Sequence, residues 1–371
     1  MIKYAEHNFD KKEIQSVVEL IKSEPIARSK KIFDFENELK KYFQSKYVIS
    51  CSNGTAALEI SLRAMEIGKG DEVIVPCMSW ASTATAVSIV GATPVFVDIE
   101  SSFPNLCLEN VKSAITKKTK AIIPVHFAGN PVNLKELKKI AKTNSIKIIE
   151  DACHAIGGNY QDNIKIGNSK YSDISCFSFH PAKNITTGEG GAISTNNYFL
   201  AKKILNIRNN GIVRPFSILK KPYYDCLQLG SNYHLTSISA ALGLIQLKKL
   251  NDFIKIRRKL HAYYEKKIND DKLIEIYKHE KYSAFNLCLA KVNNKKLIMS
   301  KLLKSGIAIF FHYPILSDLT IYKKKLLKSR STSKFPNARN YCKNAITLPL
   351  HTKLSYKQID FIINSIKNNI K

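Results

Sequence analysis

The sequence predicts an α/β protein: a large, mainly parallel central sheet sandwiched by helices, with a smaller C-terminal α+β unit. Three observations carry that expectation. Short apolar runs bounded by Gly, Pro and Asp (YVISC, DEVIVP, TPVFVDI, AIIPVHF, IKIIED) alternate with helix-like stretches, the pattern of parallel strands joined by helical crossovers. Two further strand-like runs, SDISCFSF and GGAIST, bracket a loop dense in His, Pro, Thr and Gly. Beyond it a long helical pattern, SISAALGLIQLKKLNDFIKIRRKLHAYYEKKI, bridges to a remainder of mixed strand-like and helical pieces. The expected division is 1–245 for the large unit and 246–371 for the small one.

Taken in order, FDKKEIQSVVELIKS places Ile14, Val17, Val18 and Ile21 at amphipathic-helix spacing, with Asp10 as N-cap. FDFENELKKYFQS is a second helix with Phe33, Phe35, Leu39, Tyr42 and Phe43 as its apolar set. YVISCSNGTAALEISLRAM reads as a buried strand, a turn at Ser52, Asn53 and Gly54, and a helix starting at Thr55 or Ala56. Such a helix start presents free N–H groups and a positive dipole end, a natural phosphate cradle. Helices follow in WASTATAVSIVG, LENVKSAI, NLKELKKIAKT and NYFLAKKILNIRNNGI, and RPFSILKKPYYDCLQLGSNYHLT reads as a long loop. The last part offers AFNLCLAKV, IAIFFHY and AITLPL as strands and KKLIMSKLLKS and KQIDFIINSIK as helices.

Composition bounds the function. The 371 residues are 44% hydrophobic, enough for a large core. No apolar run reaches the roughly 20 residues of a membrane span, and MIKYAEHNFDKKE carries no apolar signal region, so a soluble cytoplasmic protein with no membrane partner is expected. Eight scattered cysteines without a C-x-x-C pair read as reduced core residues; no metal site is expected. The net charge of +28 is spread over the whole chain with no nucleic-acid motif beside it. Nucleic acid is not an expected partner.

The chemistry centres on Lys183. Its apolar and small neighbours would partly desolvate the ammonium and lower its pKa, as an amine forming a Schiff base with a carbonyl requires. Ligands of parallel sheets bind at the carboxyl ends of the strands, where Asp151 ends IKIIED and Trp80 follows DEVIVP. One chemistry unites these features: Lys183 carries pyridoxal phosphate, Asp151 pairs with the pyridine nitrogen, and the Gly54 and Thr55 helix start holds the phosphate. Trp80 supplies a flat apolar face, and Ser178 and His154 can donate hydrogen bonds to the phosphate or the ring hydroxyl. Taken singly, Asp151 could be a helix cap, Trp80 a core aromatic, and Ser178 and His154 satisfied polar groups; taken jointly, that reading needs several coincidences.

SNGTAAL, GATPVFVDIE, AIIPVHFAG, IEDACHAIG, FSFHPAKNITTGEGGAIST and GSNYHLTSISAALGLIQLKKL resemble the motifs of the DegT/DnrJ/StrS-type sugar aminotransferases, fold-type I pyridoxal-phosphate enzymes. The resemblance runs nearly end to end. Within the family, PVHFAG, YSDISCFSFHPAKNITTGEGG and KPYYDCLQLGSNY are most similar to transaminases that aminate C4 of a UDP-4-keto-6-deoxy-N-acetyl hexosamine on the route to pseudaminic acid. It implies that Lys183 is the Schiff-base lysine and the base. Asp151 would hold the ring nitrogen, His154 sit beside the ring and its hydroxyl, and Trp80 stack on it. Gly54, Thr55 and Ser178 would hold the phosphate, and Asn232 would reach it from the partner subunit of a homodimer. L-glutamate is the implied donor and a nucleotide-linked 4-keto sugar the acceptor. Three departures stand out: His234 where the family usually has arginine, PCMSWAST for an aromatic-threonine run, and Arg28, Ser29 and Lys30 for a Gly-Pro. Arg208, His312 and Tyr313 are candidates for the sugar-nucleotide side, with a core or surface role as the competing reading. A GDP-perosamine-type or UDP-4-amino-arabinose-type acceptor, and a catalytically weak regulatory or binding protein on the same fold, remain open.

Overall fold

The computed structural model describes residues 1–213, 224–269, 274–326 and 335–368; 214–223, within the stretch read as a long loop, lie outside the described residues. Helix α1 (Lys11–Ser23) starts at Asp10, whose carboxylate accepts the Lys12 N–H at 2.7 Å while Glu13 reaches back to the Asp10 N–H at 2.9 Å. The stripe of Ile14, Val18 and Ile21, expected to be inward, is exposed, and Glu13 and Leu20 are buried instead. The cause is polar. Glu13 accepts from Gln246 and Lys249, both at 2.7 Å, and so fixes the rotation of the helix. A buried carboxylate left without those donors would cost more than three apolar side chains at the surface. In α2 (Lys30–Phe43) Phe35, Leu39 and Phe43 are buried as expected, but Phe33 is exposed and Ile32 takes its place.

The central sheet has seven strands: β1 (Tyr47–Cys51), β2 (Glu72–Pro76), β3 (Thr93–Val97), β4 (Thr119–Ile122), β5 (Lys147–Asp151), β6 (Ile174–Ser178) and β7 (Gly191–Thr195), in the order β1-β7-β6-β5-β4-β2-β3. The pairs β2/β3, β2/β4, β4/β5 and β5/β6 are parallel. Strand β7 runs antiparallel to both β6 and β1. The connection from β6 to β7 is therefore a tight return rather than a helical crossover, and it carries Lys183. Both faces are covered. Helices α3 (Gly54–Ala64), α4 (Ser82–Ile89) and, later in the chain, α7 (Tyr198–Arg208) pack on one face. The other face takes α2, α5 (Leu108–Ala114), α6 (Leu134–Thr143) and the first half of α8 (Ser237–Ile268). Two short strands, β8 (Ile212–Val213) and β9 (Asp225–Cys226), pair beside α7.

Helix α8 runs unbroken from Ser237 to Ile268, as its continuous periodicity predicted. Its later half packs on a second sheet of β10 (Ile274–Ile276), β11 (Cys288–Val292) and β12 (Ala345–Leu348), with α9 (Lys295–Lys304) and α12 (Tyr356–Lys367) closing a separate apolar cluster. Helices α10 (Thr320–Leu326) and α11 (Pro336–Asn344) extend the first cluster. The run IAIFFHY, expected as a strand, is not one: it makes single bridges from Ile307 to Ile2 and from Phe310 to Thr347. It bends so that Phe310, His312 and Tyr313 face the main sheet's edge.

Helix α2 packs on β6 through a pair of aromatic rings. Phe43 is fully buried and stacks on Phe177 with ring centroids 4.5 Å apart, over Gly167, where a β-carbon would sit 2.7 Å from the Phe43 ring and 2.8 Å from the Phe177 ring. Replacing Phe43 by Ala should lower unfolding stability by about 3–5 kcal/mol, read from the denaturant midpoint; a loss under about 1 kcal/mol would contradict this view of the core.

Candidate active site

The carboxyl ends of β1, β2, β4, β5 and β6 open into one cleft of about 680 Å³. Gly54, Thr55, Trp80, Asp151, His154, Ser178, Lys183, His312 and Tyr313 all line it. The residues expected to hold a cofactor thus meet in one cleft, apart from Asn232.

Three strand ends supply the fixed groups. After β1 the chain turns into α3, where the Asn53 side chain accepts the Ala56 N–H at 2.8 Å and so leaves the Gly54 and Thr55 N–H groups at the free helix end. Ser178, the last residue of β6, lies against that end: a β-carbon built on Gly54 would sit 2.9 Å from the Ser178 β-carbon and 2.9 Å from Cys153 Sγ. Glycine is required there for closeness, not for an unusual φ. Asp151, the last residue of β5, is buried, and its carboxylate accepts the Thr83 hydroxyl at 2.8 Å and the Cys153 N–H at 3.2 Å. Those two bonds leave acceptor capacity on a carboxylate for a third donor. Lys183 stands in the return between β6 and β7; burial holds its ammonium below the ordinary lysine value, with Cys153 and Asp151 opposing the shift. This is the depression expected from its neighbours.

The outer part of the cleft is aromatic. Trp80 keeps 58% of its surface open and lies 5.8 Å from the Tyr313 ring. Tyr4 stacks on Phe310 at 5.2 Å and approaches His312 at 5.8 Å. His312 is buried, its Nδ1 is 2.8 Å from the Thr347 hydroxyl, and burial together with Lys183 lowers its pKa to about 3. His154 is lowered well below its ordinary value by burial, then by Lys183 and His312. Neither imidazole carries charge at neutral pH.

Three candidates are not part of this cleft. Arg208, a candidate for the sugar-nucleotide side, lies outside the cleft lining; it pairs with Glu36 at 2.6 Å and donates to the Ser50 carbonyl at 3.0 Å, pinning α7 to α2 and β1. His234 also lies outside the cleft lining, donating from Nε2 to Asn209 Oδ1 at 3.0 Å; burial, Arg208 and Arg28 lower its pKa to about 4, so it does not replace an arginine's charge. Asn232 is exposed, bridged to Asn209, and absent from the lining of its own chain's cleft. Residues missed in the sequence include Thr83, which orients Asp151, and Tyr4, which walls the cleft. Only the repeated small polar residues of WASTATAV hinted at the first, and nothing local marked the second. Tyr233 was also missed: its hydroxyl donates to Glu59 of α3 at 2.7 Å.

A sheet of this topology, with a desolvated lysine facing a buried aspartate beside a helix-end phosphate cradle, defines a fold-type I pyridoxal-phosphate enzyme. The chain belongs to the DegT/DnrJ/EryC1/StrS aminotransferase family, whose pattern matches residues 7–367, and pyridoxal phosphate is that family's cofactor. It is 32% identical to the UDP-4-amino-4,6-dideoxy-N-acetyl-beta-L-altrosamine transaminase of Campylobacter jejuni strain 81-176, across 99% of this chain and 96% of that protein. It is also 32% identical to the GDP-perosamine synthase of Escherichia coli O157:H7, across 90% of this chain and 88% of that one. Among solved structures, Helicobacter pylori PseC, an aminotransferase involved in pseudoaminic acid biosynthesis, superposes with a TM-score of 0.91 at 28% identity, covering 99% of this chain and 98% of its own. The sugar aminotransferase family and the fold expected from the sequence are both found. Among the described residues no helix is long and apolar enough to cross a membrane, and no group of three or more His, Cys, Asp or Glu is placed to hold a metal ion.

The contact distances at Gly54 make a direct test. Gly54→Ala should weaken pyridoxal phosphate binding about ten- to a hundredfold, matching an overpacking cost of roughly 1–3 kcal/mol; titration by absorbance with unchanged affinity would show the cradle lies elsewhere.

Proposed function

We propose that this chain transfers an amino group from L-glutamate to C4 of a nucleotide-linked 4-keto-6-deoxy sugar, with a UDP-linked N-acetyl hexosamine as the acceptor. The observation that carries the reading is the convergence of Lys183, Asp151 and the Gly54 helix end in one cleft. Bound pyridoxal phosphate supplies an electron sink for the electrons released when a C–H bond next to nitrogen breaks.

The chain's own residues do the rest. Asp151, kept in place by Thr83 and the Cys153 N–H, would hold the proton on the pyridine nitrogen. Lys183 would hold the cofactor and serve as the base that moves the proton between the donor's Cα and the cofactor's C4′; its lowered pKa keeps a share of the amine free for that task. Gly54, Thr55 and Ser178 hold the phosphate, and Trp80 covers a ring face. Tyr4, Phe310 and His312 form an uncharged, largely apolar wall suited to a deoxy sugar rather than to a second ion. We assign Asn232 to the phosphate of a neighbouring copy in a homodimer, consistent with its exposure and its position outside its own cleft. The proposed setting is cytoplasmic synthesis of a surface polysaccharide sugar, with residues 1–245 as the cofactor unit and 246–371 as the smaller one.

The sequence similarity to the Campylobacter transaminase across 99% of the chain supports the UDP-linked acceptor; the equal identity to a GDP-perosamine synthase keeps the GDP-linked sugar as the second reading. Loading the protein in its amine form and adding each 4-keto sugar separately distinguishes them by the returning absorbance. Return with the UDP sugar alone is expected; return with the GDP sugar alone transfers the assignment, and no return with either, cofactor still bound, favours a weak regulatory protein or another acceptor. Lys183→Ala should abolish turnover, and retained turnover would refute the lysine's role. Because only the unprotonated amine attacks a carbonyl, cofactor capture by the wild type should accelerate with rising pH and level off below the ordinary lysine range; a plateau at or above that range contradicts the lowered pKa of Lys183.

A further inference from the structure

The family resemblance places His154 beside the cofactor's ring hydroxyl, yet both of its ring nitrogens are already engaged. Nδ1 accepts the Ala128 N–H at 3.3 Å, and Nε2 lies 3.2 Å from the Tyr313 hydroxyl. Ala128 is firmly aimed: it sits in a left-handed turn at φ 55°, and its carbonyl accepts the N–H of Asn286 at 2.9 Å. A neutral imidazole whose Nδ1 accepts must carry its proton on Nε2. The bond to Tyr313 therefore runs from His154 Nε2–H to the tyrosine oxygen. That direction leaves the Tyr313 proton unspent, and among the described residues its hydroxyl has no other hydrogen-bond partner. Burial keeps that proton on, with Tyr4, Asp151 and Cys153 adding to the effect.

The chemistry of the ligand says where the proton goes. In pyridoxal phosphate the ring nitrogen lies across from the reactive carbon, and the phosphate arm and the ring oxygen flank that carbon on opposite sides. With the nitrogen at Asp151, the reactive carbon at Lys183 and the phosphate at the Gly54 helix end, the ring oxygen falls on the remaining flank. Both side chains line the cleft together with Asp151, Lys183 and Gly54, and their 3.2 Å contact makes them one polar unit there. We propose that Tyr313, with His154 as the fixed donor behind it, gives the hydrogen bond to the ring oxygen of the bound cofactor. The inference rests on the pyridoxal phosphate reading of the cleft.

An anionic ring oxygen that loses its donor becomes more basic and holds the proton it shares with the Lys183 nitrogen more tightly. Tyr313→Phe, which keeps the buried ring and so the packing, should therefore raise the pH midpoint of the bound cofactor's absorbance change by about one to two units, the size of a charge-assisted hydrogen bond. His154→Ala should shift it less, because the tyrosine O–H remains. An unchanged midpoint in Tyr313→Phe overturns the proposal, whatever its turnover. A large shift in His154→Ala with none in Tyr313→Phe overturns it in favour of His154 as the direct donor. A wild type that takes up no visible cofactor band defeats the proposed function itself, and this inference with it.

Discussion

A carboxylate at the end of a central parallel strand is the fixed point of this molecule. Asp151 is buried at the sheet's carboxyl edge, where Thr83 from α4 and the N–H of Cys153 hold it from two sides. An acceptor in that position is costly unless it is satisfied, and the protein satisfies it incompletely, keeping capacity for one more donor from the cleft. The surrounding geometry follows from the same edge. Parallel strands end together, so the turns after β1, β2, β4, β5 and β6 converge, and the antiparallel β7 returns the chain across the edge with Lys183 on the way.

The interior behind Asp151 is built to keep that strand still. Its neighbour Glu150 points to the opposite face, fully buried, and accepts from His126 and Ser175 at 2.7 Å each as well as from Tyr160 and Ser172. Two adjacent acidic residues on one strand thus serve different ends, one saturated with donors and one left open to a ligand. On the cleft side the imidazoles of His154 and His312 stay neutral, and Lys183 is the cation that both of them feel. Lys183 shares the cleft lining with the carboxylates of Asp151, Glu59 and Glu189.

How much was legible in the sequence depended on how local the cause was. Strand ends, the Asn53 turn and the lysine return are set by neighbours in sequence, so Gly54, Asp151, Ser178 and Lys183 could be read from apolar runs and their boundaries. The faces of α1 and α2 could not. Ile14 and Phe33 have the right spacing for a core stripe, but α8 supplies the donors that turn Glu13 inward, and that contact joins segments far apart in the chain. Arg208 and His234 fall outside the cleft lining for a similar reason. Each is a polar residue near a site motif whose partner, Glu36 or Asn209, becomes visible only once the helices are packed. Tyr4 reaches the site through tertiary contacts that leave no local trace, and the only trace of Thr83 is the small polar run WASTATAV.

The attachment of the first residues also has an outcome for the order of assembly. Ile2 exchanges backbone bonds with Gly306 and Ala308, and the Tyr4 carbonyl accepts the Leu350 N–H at 3.1 Å. During synthesis Tyr4 leaves the ribosome long before those partners exist. The main sheet, complete by Thr195, has its strands available early, while the aromatic wall waits for the last stretch of chain to arrive. A nascent chain therefore holds Asp151 and Lys183 on a finished sheet before it has the aromatic wall, and the two halves of the cleft are born at different times.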